Sequence, residues 1–284
     1  MEKIGVTAAS GQLGAAIVKE LIKQIGKEQV VGIARTPEKA AHLGVEVRKG
    51  DYSRRDDFET ALAGLDKVLI VSGNTKPKDR IPQHRNIIQA AVSQGLSKIV
   101  YTSILGNPNE SEFSPIISSN RQTEEDVRNS GIAWSIGRNS IYIEPDLEYI
   151  SHYKKAGEIA NSAGEGRTTY ISRPELALAY AHMLLEDKHN GQTYNLAGHP
   201  ITQSELVEVL NQVYGTTLIY RPMSVAAYYE ERKAELGPFL GTVIGGIYEG
   251  ISKGAMDVPS DFEKATGRPP LTALEMARDY LSDS

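Results

Sequence analysis

Short apolar runs alternate with stretches of helical periodicity through the first half of the chain. KIGVT at Lys3–Thr7 predicts a buried strand, and apolar positions over Gly14–Ile25 predict a helix. VVGIA at Val30–Ala34 predicts a second strand. A short helix around Pro37–His42 leads to VEVRKGD, Val45–Asp51, and Arg54–Ala63 reads as a helix ending at Gly64. DKVLIVSG, Asp66–Gly73, carries four consecutive apolar residues and predicts a central strand. A helix over Gln83–Gln94 closes at Gly95 before a fifth strand, Lys98–Ser103. Another helix, Gln122–Asn129, precedes a sixth strand, Ile132–Asn139. Strands alternating with crossover helices imply an α/β fold, a parallel sheet covered on both faces.

After Asn139 the rhythm loosens. Residues Tyr149–Ala163 read as helical, EGRTTYIS (165–172) as containing a strand, and Glu175–Leu185 as a helix. QTYNLAG, Gln192–Gly198, reads as a late strand returning to the sheet. Thr202 with Glu205 three residues on is a capping-box signature for a helix over Gln203–Tyr214. The remainder is mainly helical, interrupted by glycine and proline clusters at Gly237–Gly250 and Gly267–Pro270. The expected organisation is a dinucleotide-binding core over 1–140, a mixed region over 141–200 and a small, mainly helical substrate-side lobe over 201–284.

The turn AASGQLGA, Ala8–Ala15, brings in the first chemistry. It follows the first strand and opens a helix whose amino end attracts phosphate. A dinucleotide turn uses one glycine to bend, a second to admit pyrophosphate and a third for helix–strand packing. Gly11 and Gly14 fit the last two roles, and Ala8 stands in the first, where alanine fits only if φ stays negative. The competing reading is a plain strand-to-helix turn. Thr7 and Ser10 offer hydroxyls there, and Gln12 and Leu13 offer backbone N–H groups. Arg35, after the second strand, supplies a cation where NAD sites carry an acid, which favours NADP(H) over NAD(H). Asp51 and Tyr52 end the third strand, and Ser72 and Gly73 the fourth, along the edge where a nucleotide would run.

The 284 residues are 40% hydrophobic and 24% charged, with a formal charge of −5 and no cysteine. That balance weighs against nucleic acid or an acidic membrane surface as partner. Without cysteine there is neither a disulfide nor a thiolate metal site. The scattered histidines lack metal-ligand spacing, so no metal is expected. His84 reads as a surface or interdomain residue. No apolar run approaches the roughly 18 residues of a membrane span, and the first strand leaves no room for a signal peptide; the expectation is a cytoplasmic protein. Lys76, Lys78 and Arg80 read either as a solvated loop or as a mobile flap over the cofactor.

The succession VTAASGQLG, GIART, GDYSRRDDFETALAGLDKVLIVSG, PQHRNIIQAA, KIVYTS, SGIAWSIGRNSIY and YNLAG resembles the NmrA-like atypical short-chain dehydrogenase/reductase family. It is most similar to the bacterial NAD(P)H:quinone oxidoreductase and triphenylmethane reductase branch. The resemblance implies a Rossmann-like core, a smaller carboxyl-terminal lobe and NADP(H) between them. The usual first turn of that family is Gly-Ala-Thr-Gly-x-x-Gly; here Ala8 and Ser10 depart from it. Arg35 matches the family arginine, and Tyr101-Thr102-Ser103 the fifth-strand signature, which places Tyr101 and Ser103 beside the cofactor. The Tyr-x-x-x-Lys catalytic pair of classical short-chain dehydrogenases is lacking in that family, and this chain lacks it in its usual place too. Some reductases of the branch carry lysine where this chain has Glu125.

Hydride transfer to a quinone asks little of side chains beyond alignment and a setting for the developing oxyanion. Ser103 and Tyr142 are the candidate catalytic hydroxyls; Arg138, Asn139 and Tyr142 are candidate substrate contacts. Ile104, Leu105, Phe113 and Ile143 offer an apolar wall. The expected function is an NADPH-dependent oxidoreductase acting on a quinone or similar planar, electron-poor small molecule. The alternative is a non-catalytic NADP(H)-binding redox sensor, motivated by Glu125 and by the lack of the Tyr-x-x-x-Lys pair in its usual place. Sugar-nucleotide epimerase or dehydratase chemistry, which uses the missing tyrosine–lysine pair, is a third reading. A homodimer is left open.

Overall fold

The computed structural model describes residues 2–111 and 113–282. The first half runs β1 (Ile4–Val6), α1 (Gln12–Ile25), β2 (Val30–Ala34), β3 (Glu46–Lys49), α2 (Arg55–Ala61), β4 (Lys67–Ile70), α3 (Pro77–Ser93), β5 (Lys98–Ile104), α4 (Ser114–Arg128) and β6 (Ala133–Asn139). There follow α5 (Glu144–Glu148), α6 (Ile150–Ala156), β7 (Glu158–Asn161), β8 (Thr168–Thr169), α7 (Arg173–Leu185) and β9 (Gln192–Leu196). The chain then forms β10 (Pro200–Ile201), α8 (Gln203–Tyr214), β11 (Ile219–Pro222), α9 (Val225–Leu236), α10 (Pro238–Ser252), α11 (Phe262–Thr266) and α12 (Ala273–Ser282).

Seven strands form one parallel sheet in the order β3-β2-β1-β4-β5-β6-β9. Alternation on β5 shows why both faces need cover. Val100 packs into the α1 and α7 side with Ile17 and Tyr180, whereas Ile99 and Tyr101 pack with Phe58 and Ile87 under α2 and α3. The expected Rossmann-like core is therefore present, with a smaller helical region, α9–α12, after it. A further core joins Ile143, Leu147 and Tyr170 to Leu206, Leu210 and Met276.

Several boundaries differ from expectation, each for a physical reason. α3 begins at Pro77, well before Gln83, because Pro77 sits in the first turn where its missing N–H costs nothing. The run from Lys76 to Arg80 is thus mostly helix, not a flap. α4 likewise starts at Ser114; its inward stripe includes Asn120, Thr123 and Glu124, so apolar periodicity does not announce it. The helix expected across 149–163 ends at Gly157, whose φ of 76° closes α6. Glu158–Asn161 instead pairs in parallel with Ile219–Pro222. The capping box at α8 forms as read: Thr202 N–H donates to Glu205 at 2.7 Å, and Glu205 N–H to Thr202 Oγ1 at 3.2 Å.

The outer edge of β9 is not left open. Asn195 N–H donates to the Asp261 carboxylate at 3.0 Å, and Asp261 N–H donates back to the Asn195 carbonyl at 2.9 Å. Among the described residues no helix is long and apolar enough to cross a membrane.

Candidate active site and cofactor cleft

The carboxyl ends of the parallel strands form one rim, and the turn after β1 is its centre. Ala8 has a φ of 50°, the one positive value outside glycine among the described residues. The turn therefore bends through a left-handed residue after all, contrary to the expected negative φ. That conformation costs an alanine about 1–2 kcal/mol. The Ala8 carbonyl accepts Gly11 N–H at 2.8 Å and approaches α1 closely. A Cβ built on Gly14 would lie 2.3 Å from that oxygen, so only glycine fits there.

The amino end of α1 suits an anion. Gly11, its N-cap, has no side chain to engage the first turn, and that turn holds no acid. Gln12 opens the helix with Leu13 next, and Ser10 is exposed beside them. Arg35 is also exposed, just past β2, and makes no ion pair with any described residue. These residues fit a dinucleotide phosphate and, at Arg35, a further phosphate.

Thr7, expected to reach the cofactor, is fully buried instead. Its Oγ1 accepts Val71 N–H at 2.9 Å and meets the Tyr52 hydroxyl at 2.6 Å. Tyr52 donates its own hydrogen to the Val71 carbonyl at 2.7 Å, so Thr7 must be the donor between the two hydroxyls. Asp51 is half-buried and folds its carboxylate onto Ser53 N–H at 2.9 Å.

The next loop, Ser72–Thr75, is fastened from beneath. Ser72 N–H donates to Thr102 Oγ1 at 2.8 Å, and Ser72 Oγ donates to Asn120 Oδ1 at 2.9 Å. The Tyr101 hydroxyl donates to the same Asn120 oxygen at 2.6 Å, and burial pushes its pKa up to about 12. Gly73 N–H donates to His84 Nε2 at 3.0 Å, and the Gly73 carbonyl accepts from Arg80 Nε at 2.9 Å. Arg80 also donates to the Thr75 carbonyl and Ser119 Oγ, both at 3.1 Å. His84 is not a surface residue. It is fully buried, and burial, then the charge of Arg80, pushes its pKa down to about 3.

These supports escaped the sequence reading. Their signal was available: Arg80 and His84 lie one turn apart on the same stripe as Ile87 and Ala91, where polar residues have no place without partners.

Under β5 and β6 lies a single buried carboxylate with three arginines. Glu124 takes the Ser103 hydroxyl at 2.7 Å, Arg121 at 2.8 Å, Arg138 at 2.9 and 2.7 Å, and Arg128 at 3.0 Å. Burial alone would raise its pKa, but the Arg138 and Ser103 hydrogen bonds and the arginine charges hold it at about 2. Ser103 and Arg138 are thereby committed below the rim. Glu125, next in sequence, is exposed, with Gln122 its neighbour at 3.5 Å.

Above the rim, a cavity of about 570 Å³ opens between the sheet end and α9–α10. Ile104, Leu105 and Phe113 line it with Asn139 and Tyr142, while Ile143 is fully buried in the core behind. Asn139 Nδ2 donates to the Tyr142 hydroxyl at 3.3 Å, and burial raises the pKa of Tyr142. The opposite wall carries Tyr149, Tyr153, Tyr228 and Tyr248. Among the described residues no group of three or more His, Asp or Glu is placed to hold a metal.

A family model described as NAD(P)H-binding matches residues 8–187, from the Ala8 turn to just past α7. The chain belongs to this NAD(P)H-binding family. Quinone oxidoreductase 2 of Escherichia coli (strain K12) is 32% identical over 280 residues, 96% of each chain. A triphenylmethane reductase of Citrobacter sp., solved with NADP(H), superposes with a TM-score of 0.88 at 34% identity, covering 98% of this chain and 99% of its own. An NADPH-dependent quinone oxidoreductase of Escherichia coli, solved with NADPH, gives 0.89 at 31% identity over 98% and 99%. The resemblance read from the motifs is thus borne out. Over nearly its full length the chain is homologous to NAD(P)H-dependent oxidoreductases and stands among those enzymes.

Proposed function

We propose that the protein is an NADPH-dependent reductase that passes hydride to a quinone or a similar planar, electron-poor molecule. The aromatic and aliphatic cavity at the carboxyl ends of β5 and β6, on the same sheet rim as the glycine turn, carries this reading. Solved relatives that hold NADPH or NADP(H) support it, as does Arg35, exposed and without an ion-pair partner where a 2′-phosphate would sit.

When bound, the nicotinamide supplies the hydride. This chain's own part is placement. Gly11, Gln12 and Leu13 would receive the pyrophosphate, and Arg35 the ribose phosphate. The Ser72–Gly73 loop, held rigid by His84, Arg80 and Asn120, and the Tyr52 and Tyr101 rings beneath it keep the rim in shape. Tyr142, backed by Asn139, would meet a substrate carbonyl at the sheet end of the cavity. Ile104, Leu105 and Phe113 would flank a flat ring and keep water out.

The sensor reading rests on Glu125 and on the lack of a Tyr-x-x-x-Lys pair in its usual place; Glu125 is exposed and outside the cavity wall, and a cavity able to take a flat ring supports turnover. Steady NADPH oxidation across a panel of quinones is the expected result. Tight NADPH binding by calorimetry with no oxidation across that panel would overturn the proposal.

A further inference from the structure

Among the acids on the cavity wall, Asp146 stands apart. Glu231 and Glu235 each pair with Arg232 at 2.7 Å, and Glu158 pairs with Arg221 at 2.8 Å. Asp146 has no cation within ion-pair distance among the described residues. Its Oδ1 accepts the Tyr153 hydroxyl at 2.7 Å. The residue is 6% exposed, yet it forms part of the cavity wall.

The groups bearing directly on Asp146 are phenols, and His152, stacked on Tyr149 and edge-on to Tyr153, lines the same cavity. Tyr153 comes from α6, Tyr170 from the segment after β8, Tyr228 from α9 and Tyr248 from α10. Arg232, one turn beyond Tyr228, is engaged by its two glutamates. α12 also packs on α5, and its buried residues there are Ala273, Met276 and Ala277, which carry no charge. An uncompensated carboxylate is costly in such surroundings. Burial raises the pKa of Asp146, with the Tyr153 and Tyr170 hydroxyls partly offsetting it.

We propose that Asp146 is the proton donor of the cavity, giving its carboxyl hydrogen to the oxyanion of a reduced quinone. This rests on the quinone-reductase reading above. Hydride arriving at one carbonyl oxygen brings an electron pair into the ring, and the negative charge emerges on the opposite oxygen. There the O–H bond of Asp146 breaks as the second hydroquinone O–H forms. The carboxylate left behind recovers a proton from water. Tyr142, four residues earlier at the sheet end, holds the near carbonyl, so the two residues address the two ends of one ring.

The test pairs infrared titration of the protein without substrate with pH profiles of quinone reduction. The wild-type protein should show a protonated carboxyl band that persists above the ordinary carboxylate range and disappears in Asp146→Asn. That variant should lose about 100-fold in kcat/KM for the quinone, the usual scale for a general acid, with NADPH affinity unchanged. Activity in the wild type should decline as pH rises through the Asp146 pKa. Tyr153→Phe removes a hydroxyl that lowers this pKa, so the band and the decline should both move to higher pH. A purely structural Asp146 would give no such joint movement. A wild-type protein that reduces quinones without the band, or with a pH profile indifferent to both substitutions, overturns the proposal alone. A wild-type protein inert toward quinones overturns the reductase reading and this proposal together.

Discussion

His84 accepts the backbone N–H of Gly73 through Nε2, so its single ring hydrogen sits on Nδ1 and goes to Thr123 Oγ1 at 2.9 Å. Protonation would place a hydrogen where Gly73 already donates one. The folded pKa of about 3 lies below the ordinary 6.5, so the unfolded chain binds the extra proton first. The resulting stability is complete above pH 6.5 and is lost as pH falls toward 3. His84→Gln, which can still accept from Gly73 but does not titrate, should flatten acid unfolding followed by circular dichroism across that window. His189, pushed down to about 4 by burial, and Glu124, below pH 4.5, contribute to the slope that remains. An unchanged acid limb in His84→Gln would contradict the assignment.

Ala8→Gly should stabilise the protein. Glycine removes about 1–2 kcal/mol of left-handed strain and returns about 0.5–1 kcal/mol in chain entropy. The net gain of about 1 kcal/mol corresponds to about 2–4 °C in Tm for a chain of this size. Calorimetric scans of the two proteins compare them directly, and a lower Tm for the glycine variant would refute the strain.

Arg35→Ala should weaken NADPH binding about 10-fold or more, the scale of one charge-assisted hydrogen-bonded contact. NADH binding should hardly change. Titration calorimetry with both nucleotides reads the ratio, and equal losses for the two would remove Arg35 from any role in choosing between them.

Glu124→Gln leaves three arginines around a neutral amide. Loss of one partner from a buried ionic cluster typically costs about 3–5 kcal/mol. Because the Glu124 pKa is held at about 2, below its usual 4.5, its contribution is full above pH 4.5 and is lost as pH falls toward 2. Urea unfolding at neutral pH should therefore show a large loss in the variant, shrinking in acid. A loss independent of pH would point to packing instead.

The strands of the core were legible because parallel strands buried on both faces carry continuous apolar runs; Val30–Ala34 was placed to the residue. The early starts of α3 and α4 were not, since prolines and inward polar residues masked them. β7 needed β11, some sixty residues later, and no local pattern announces such a partner. At the candidate site, the positions of the Ala8 turn and Arg35 at the strand ends, and of Ile104, Leu105 and Phe113 on the cavity wall, were legible from position along the strands, while the left-handed φ of Ala8 and the burial of Ile143 were not. The commitment of Thr7 to Val71, of Ser103 to Glu124 and of His84 to Gly73 depends on neighbours distant in sequence. The cavity's aromatic wall was hidden for the same reason: Tyr149 at the α5–α6 junction, Tyr228 on α9 and Tyr248 on α10 meet only in three dimensions.

The two hydrogen bonds between Asn195 and Asp261 give the late segment a second duty. An exposed sheet margin is a template on which further copies can stack, and here one residue from beyond α10 occupies one donor and one acceptor on that margin. A chain cut short before Asp261 would keep all seven parallel strands and yet present β9 as a sticky border. Colloidal behaviour, not only the cavity, therefore depends on the last part of the sequence.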